Sequence, residues 1–152
     1  MKIDHITAVV SDAEAAASAI GRLLGKEPVA AVTLPGMSIR SFRIGDAELH
    51  LNAPTGPGLI EDHHRQHGPG YHHLALSVDD LDATLAELPA KGFTALGAPV
   101  ETAPGLREVF LDPKTTGGIV IQLVERRSVA HEPYALDGAS IGQLADQMGP
   151  SR

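Results

Sequence analysis

Four polar residues interrupt apolar, strand-like runs at matched places in this chain. His5 stands in Asp4-His5-Ile6-Thr7-Ala8-Val9-Val10, and His73 in His72-His73-Leu74-Ala75-Leu76-Ser77-Val78. His50 stands in Glu48-Leu49-His50-Leu51-Asn52, and Gln122 in Val120-Ile121-Gln122-Leu123-Val124. His50 follows His5 by 45 residues, and Gln122 follows His73 by 49. Strand alternation would otherwise put an inward apolar side chain at each of these positions. Imidazole nitrogen suits zinc, nickel, cobalt, iron and copper, and an amide oxygen can complete a harder site. His5, His50, His73 and Gln122 are therefore the candidate ligands of one divalent metal ion: Zn, Ni, Co, Mn or Fe. A lone strand histidine is more often a hydrogen-bonded core group. Repetition of the position in two copies moves the reading to a shared metal site.

Charged residues cluster around this set. Glu48 lies two residues before His50 and so shares its face, where it could act as general base. The bland alternative is an exposed strand-end glutamate. Arg40 and Arg43 have opposite parities, so a regular strand turns at most one of them inward. An inward guanidinium would bind a carboxylate or phosphate of the substrate bidentately; otherwise both are surface charges. Lys114, in a Pro/Gly turn, could meet an anionic group at the mouth of the site, or simply be solvated.

The elements that must position these groups are written twice. Each histidine has an aspartate seven residues on, Asp12 and Asp80, suited to cap a helix, and the Ala/Leu-rich stretches that follow close at Gly25 and Gly92. Ile3 to Val10, Val29 to Leu34, Met37 to Ile44 and Ala47 to Asn52 read as strands around a helix ending near Leu24. Tyr71 to Val78, Thr94 to Glu101, Leu106 to Leu111 and Ile119 to Glu125 repeat them, with a helix over Asp80 to Ala90 that Pro89 shortens. The expected fold is α+β. Paired βαβββ modules form a curled mixed sheet around a metal-binding cavity. The expected organisation is a first module over 1–53, a linker over 54–70, a second module over 71–125 and a tail over 126–152.

The linker holds a polar helix candidate, Leu59 to His67. His63, His64 and His67 in it read as a solvated face rather than a metal cluster. His72 must point away from His73, toward packing on the helix side. His131 lies in the tail and carries no expectation. Ser140-Ile141-Gly142-Gln143 resembles a capping box before a short helix, Ile141 to Met148, in a tail expected to pack.

Composition narrows the class. The chain has 152 residues, 43% of them apolar but only 3% aromatic, so its core must be aliphatic. It has no cysteine, which excludes disulfides, thiolate ligands and cysteine nucleophiles. The net charge of −7, without a basic block, argues against nucleic acid or an anionic membrane as partner. No signal pattern or bilayer-length apolar run is visible. The expectation is a cytoplasmic homodimer acting on a small-molecule substrate.

Three stretches carry a family resemblance: Ile3-Asp4-His5-Ile6; Gly70-Tyr71-His72-His73-Leu74-Ala75 with Val78-Asp79-Asp80; and Phe110-Leu111-Asp112-Pro113-Lys114-Thr115-Thr116-Gly117-Gly118-Ile119-Val120-Ile121-Gln122-Leu123. Over residues 1–125 the chain resembles the vicinal oxygen chelate superfamily (glyoxalase, bleomycin resistance, dioxygenase), nearest to the methylmalonyl-CoA epimerases. The resemblance implies paired βαβββ modules curled around one divalent metal. It also implies His, Gln or Glu, His, and Glu as ligands, whereas this chain has His50 second and Gln122 fourth. The family's catalytic glutamate falls near Ile39, where no carboxylate stands. Three imidazoles and an amide are neutral, so a bound metal would keep its full charge and act as a strong Lewis acid, but would be held less tightly. The implied function is a metal-dependent isomerase, epimerase or lyase that stabilises the enolate of a small carbonyl or acyl-CoA substrate. The alternatives are a non-catalytic, drug-sequestering protein and an Fe(II) dioxygenase.

Overall fold

Asp12 accepts hydrogen bonds from the amides of Glu14 and Ala15 at 2.9 and 3.0 Å. Losing such a cap costs about 1 kcal/mol. The helix it opens, α1 (Ala13–Leu24), closes at Gly25, whose φ of 65° is the left-handed value that glycine adopts without strain. Asp80 repeats the device, accepting from Ala83 N at 2.8 Å to open α3 (Leu81–Glu87). A 3-10 turn over Pro89–Lys91 follows and ends at left-handed Gly92.

The computed structural model describes residues 1–127 and 138–148. Besides α1 and α3, it contains β1 (Lys2–Val9), β2 (Ala30–Leu34), β3 (Met37–Ile44), β4 (Ala47–Pro54), α2 (Leu59–His67), β5 (Gly70–Val78), β6 (Val100–Ala103), β7 (Leu106–Phe110), β8 (Ile121–Arg126) and α4 (Gly138–Met148). The fold is α+β, with the order βαβββ occurring twice. Among the described residues, one compact unit spans His5–His72 and the other joins Met1–Asp4 to those from His73 to Met148.

In the first module the strand order is β2-β3-β4-β1, with β1 parallel to β4 and the other pairs antiparallel. Ala17 of α1 packs on Phe42 and Leu51, flanked by Ala8, Ile20, Leu24 and Leu49. Alternation therefore turns His5, Thr7, Ser41, Glu48, His50 and Asn52 to the opposite face. The second module repeats this as β5-β8-β7-β6, with β5 parallel to β8. There Leu81 and Leu88 pack on Val78, Val109, Leu111 and Leu123.

Two expectations are corrected. The strand expected from Thr94 begins only at Val100, and Ala95 makes an isolated bridge to Leu111. Pro99 has no N–H to give a ladder, and the chain at Gly97 runs so close to α4 that a Cβ would lie 2.8 Å from the Gln147 side chain. Ser140 is no cap, because α4 already begins at Gly138. The tail helix does pack: Leu144 is buried, and Gln147 Nε2 donates to Ala98 O at 2.7 Å. His131 lies outside the described residues. No described helix is long and apolar enough to cross a membrane.

Candidate metal and substrate site

Register builds the site face of the first module. His5 and Arg43 both pair with Glu48, while Thr7 and Ser41 both pair with His50. All four groups thus share a face with Glu48 and His50. The rings of His5 and His50 stack 4.1 Å apart, their planes 11° from parallel. Glu48 is buried, not an exposed strand end. One of its oxygens lies 3.0 Å from His50 Nε2, and the other accepts from Arg43. With His50 Nε2–H donating to that carboxylate, Nδ1 carries the lone pair a cation would take. Arg40 turns the other way. It donates to Glu14 of α1 at 2.9 Å and to its neighbour's carbonyl, Ile39 O. The opposite parities of the two arginines thus resolve with Arg43 on the site face.

The second module places His73 and Gln122 in the equivalent positions. Gln122 pairs with Ala75 and Phe110, and the ring of His73 meets Phe110 edge-on at 5.3 Å. Gln122 is 4% exposed, and its Oε1 is buried without a hydrogen-bond partner, as are Ser41 Oγ and Asn52 Oδ1. A buried amide oxygen left unpaired costs roughly 1–3 kcal/mol, so its orientation needs a reason. A cation at that oxygen would supply one.

Glu108 also stands on this face, and the sequence reading did not single it out. It pairs with Val124, two residues beyond Gln122 on β8. It is 6% exposed and accepts a hydrogen bond from the hydroxyl of fully buried Thr102. Burial pushes its carboxyl up to about 7; Thr102 and Arg126 oppose the rise and Asp4 adds to it. The guanidinium of Arg126 is itself bound to both carboxylate oxygens of Asp4, each at 2.8 Å. The available signal was parity: in Leu106-Arg107-Glu108-Val109-Phe110, Glu108 shares the face of Phe110, and Phe110 opposes Gln122.

His72 turns away from His73 and meets α2, its ring 4.6 Å from that of His63. Burial, then the neighbouring His63 and His67, lower its pKa to about 4. The solvated reading of the α2 histidines is corrected for two of them. His63 is half-buried against His67 and His72, and His64 Nε2 lies 2.9 Å from Ser11 Oγ; His67 is exposed. Lys114 is exposed in a turn shaped by Asp112, whose carboxylate accepts from the Lys114 amide at 3.0 Å. Among the described residues no group of three or more His, Asp or Glu side chains forms a metal-holding cluster. The four candidate ligands divide two and two between the modules.

A model of the glyoxalase/bleomycin resistance protein/dioxygenase superfamily matches residues 4–110, more than half the chain. Human mitochondrial methylmalonyl-CoA epimerase is 29% identical over 130 residues, covering 80% of this chain and 72% of that protein. An ethylmalonyl-CoA/methylmalonyl-CoA epimerase of Cereibacter sphaeroides is 29% identical over 128 residues, covering 80% of this chain and 96% of its own. Among solved structures, a variant of Streptomyces coelicolor methylmalonyl-CoA epimerase in complex with 2-nitronate-propionyl-CoA aligns with a TM-score of 0.76. It is 25% identical, with 87% of this chain and 99% of that one covered. A methylmalonyl-CoA epimerase in complex with methylmalonyl-CoA and NH4+ gives 0.75 at 26% identity, covering 86% and 98%.

Proposed function

The chain belongs to the glyoxalase/bleomycin resistance protein/dioxygenase superfamily and is an enzyme of the epimerase/isomerase type; we propose that it inverts an acidic carbon next to the thioester carbonyl of an acyl-CoA. The observation that carries the reading is the buried polar set at repeat-matched positions, with Gln122 Oε1 unpaired, in a chain similar to epimerases over 80% of its length. By donor type, imidazole nitrogen and amide oxygen suit a divalent cation. His5, His50, His73 and Gln122 would hold it, and the unpartnered amide oxygen is the group it would satisfy. When bound, such an ion polarises a carbonyl oxygen and makes the adjacent C–H more acidic.

The remaining steps belong to side chains. Glu48 is the proposed base that takes the α-proton. Arg43 holds it in place and His50 orients it, so its carboxylate presents a fixed lone pair. Arg43 and Lys114 bind anionic groups of the substrate, the first on the sheet face and the second from the turn. Fully neutral ligands leave the proton transfer to carboxylates that are not ligands. The protein is proposed to work as a homodimer in the cytoplasm.

The test is solvent exchange. Incubated in deuterium oxide with methylmalonyl-CoA and Zn, Ni, Co, Mn or Fe(II), the protein is expected to place deuterium at the α-carbon and interconvert the epimers. Absence of both with every one of these metals sinks the reading.

A further inference from the structure

Away from the sheet face described above, α2 carries imidazoles that the proposed function does not use. His63 and His67 are four residues apart on this helix, so their side chains neighbour each other on one face. Their ring centres are 4.8 Å apart, with the planes tilted by 47°. We propose that this pair is a separate metal site, a two-imidazole chelate for a borderline transition cation such as Zn2+, Ni2+ or Cu2+. It stands whether or not His5, His50, His73 and Gln122 hold an ion.

Two histidines at this spacing present nitrogen donors to a single ion, as zinc-binding helices do. The surroundings suit that role. A ring N–H of His63 donates to the backbone carbonyl of Tyr71. That bond fixes the tautomer and the ring, and it leaves the lone pair of the other nitrogen for a cation. Burial and the adjacent His67 hold the pKa of His63 below its ordinary value, so the ring is mainly neutral at pH 7. The buried ring of His72 packs on it at 4.6 Å. His67 is exposed, which leaves further coordination positions to water. Two imidazoles with water therefore suffice, and no third histidine, aspartate or glutamate is needed. His67 lies in the last turn of α2, where the helix dipole favours a cation. Arg65, the permanent cation of that turn, is paired with Asp62 at 2.7 Å.

The helix gains from such a clip. It is nine residues long and its N-terminus has no side-chain cap. A helix so short is marginal by itself. A cation shared by His63 and His67 ties its last turn together, and the His63 hydrogen bond ties that turn to Tyr71 at the start of β5.

The experiment titrates the full chain with Zn2+ alone near neutral pH and follows each histidine ring by NMR. The signals of His63 and His67 are expected to shift together. That of His64, which meets Ser11 instead, should stay, and Mg2+, which prefers oxygen ligands, should move neither ring of the pair. His67→Ala removes an exposed ring and should fold as wild type does. It should weaken Zn2+ binding at His63 by about 100-fold, because a chelate becomes a single ligand. Zn2+ should also slow amide exchange along α2 in wild type and not in this variant. Unmoved His63 and His67 signals at a large excess of Zn2+ overturn the proposal. So does a His63 signal that responds at the same Zn2+ concentration in His67→Ala as in wild type, or equal slowing of exchange in both. Equal shifts with Mg2+ overturn it as well. Shifts confined to His5, His50 and His73 overturn this inference alone and leave the epimerase reading standing.

Discussion

The first module meets its buried carboxylate with charge, and the second meets its own with a hydroxyl. Glu48 lies between Arg43 and His50, whereas Glu108 touches Thr102 while the neighbouring arginine serves Asp4. The two modules share strand order and cap chemistry and pair their inner strands in the same register, so topology does not set this difference. It lies in a few side chains, such as Ile39 in the first module where the second has Glu108. Duplicated topology gives two equivalent faces; divergence at single positions gives them different electrostatics.

The largest expected effect is loss of the proposed metal. A divalent ion that binds only the folded state stabilises it by about 4.1 kcal/mol at a thousandfold excess over its Kd. His5→Ala in the first module or His73→Ala in the second should each remove that gain, read as the metal-induced rise in melting temperature. If either variant gains as much as wild type, its histidine is no ligand.

The next effect sets the two buried titratable groups against each other. His72 has a folded pKa near 4 against 6.5 in a model chain, so the unfolded state takes up a proton first and stability falls as pH drops from about 6.5 to 4. Glu108 has a folded pKa near 7 against 4.5, so the unfolded state loses its proton first and stability falls as pH rises from about 4.5 to 7. Each amounts to roughly 3 kcal/mol at most. In metal-free protein, His72→Leu should leave stability falling with rising pH, and Glu108→Gln should leave it falling with acid. Denaturant unfolding at pH 4.5, 5.5 and 6.5 reads the two slopes, and slopes of the same sign would refute the comparison.

The smallest effect comes from Gln122→Glu, which gives the second module a charged ligand at the position of His50. Attraction between a carboxylate and a divalent ion in a water-poor site should tighten binding about tenfold or more. It should also weaken the ion as a Lewis acid. Titration of the apo proteins with zinc, nickel and cobalt decides it; unchanged affinity for all three would make Gln122 a core amide.

The sequence carried most of the fold because its signals are local. Asp12 and Gly25 bound α1, Pro35-Gly36 and Gly45-Asp46 bound β3, and each does so through its own backbone chemistry. β6 and α4 were harder to read. The late start of β6 depends on Pro99 and on α4 lying against Gly97, a contact between residues 50 apart in the chain. The sheet face a residue takes was legible wherever alternation along one strand sufficed, as for His5, His50, His73 and Gln122. Glu108 needed the antiparallel register of β7 on β8, and adjacent Arg107 competed with it for the inward direction. In the structure Arg107 takes the helix side, bound to Asp82 and Glu125.

The packing of α4 on β6 has a consequence for how the protein stays dispersed. The last strand of a sheet offers unpaired amides and carbonyls that an extended segment of another molecule can join. In the second module that strand is only four residues long, opens after Pro99, shifts register between Glu101 and Ala103, and lies beneath a helix anchored by Gln147 on Ala98. In the first module the last strand, β2, pairs in unbroken register from Ala30 to Leu34. A chain cut before Gly138 would uncover β6 as a template for strand addition, so α4 guards against aggregation as well as completing the second core.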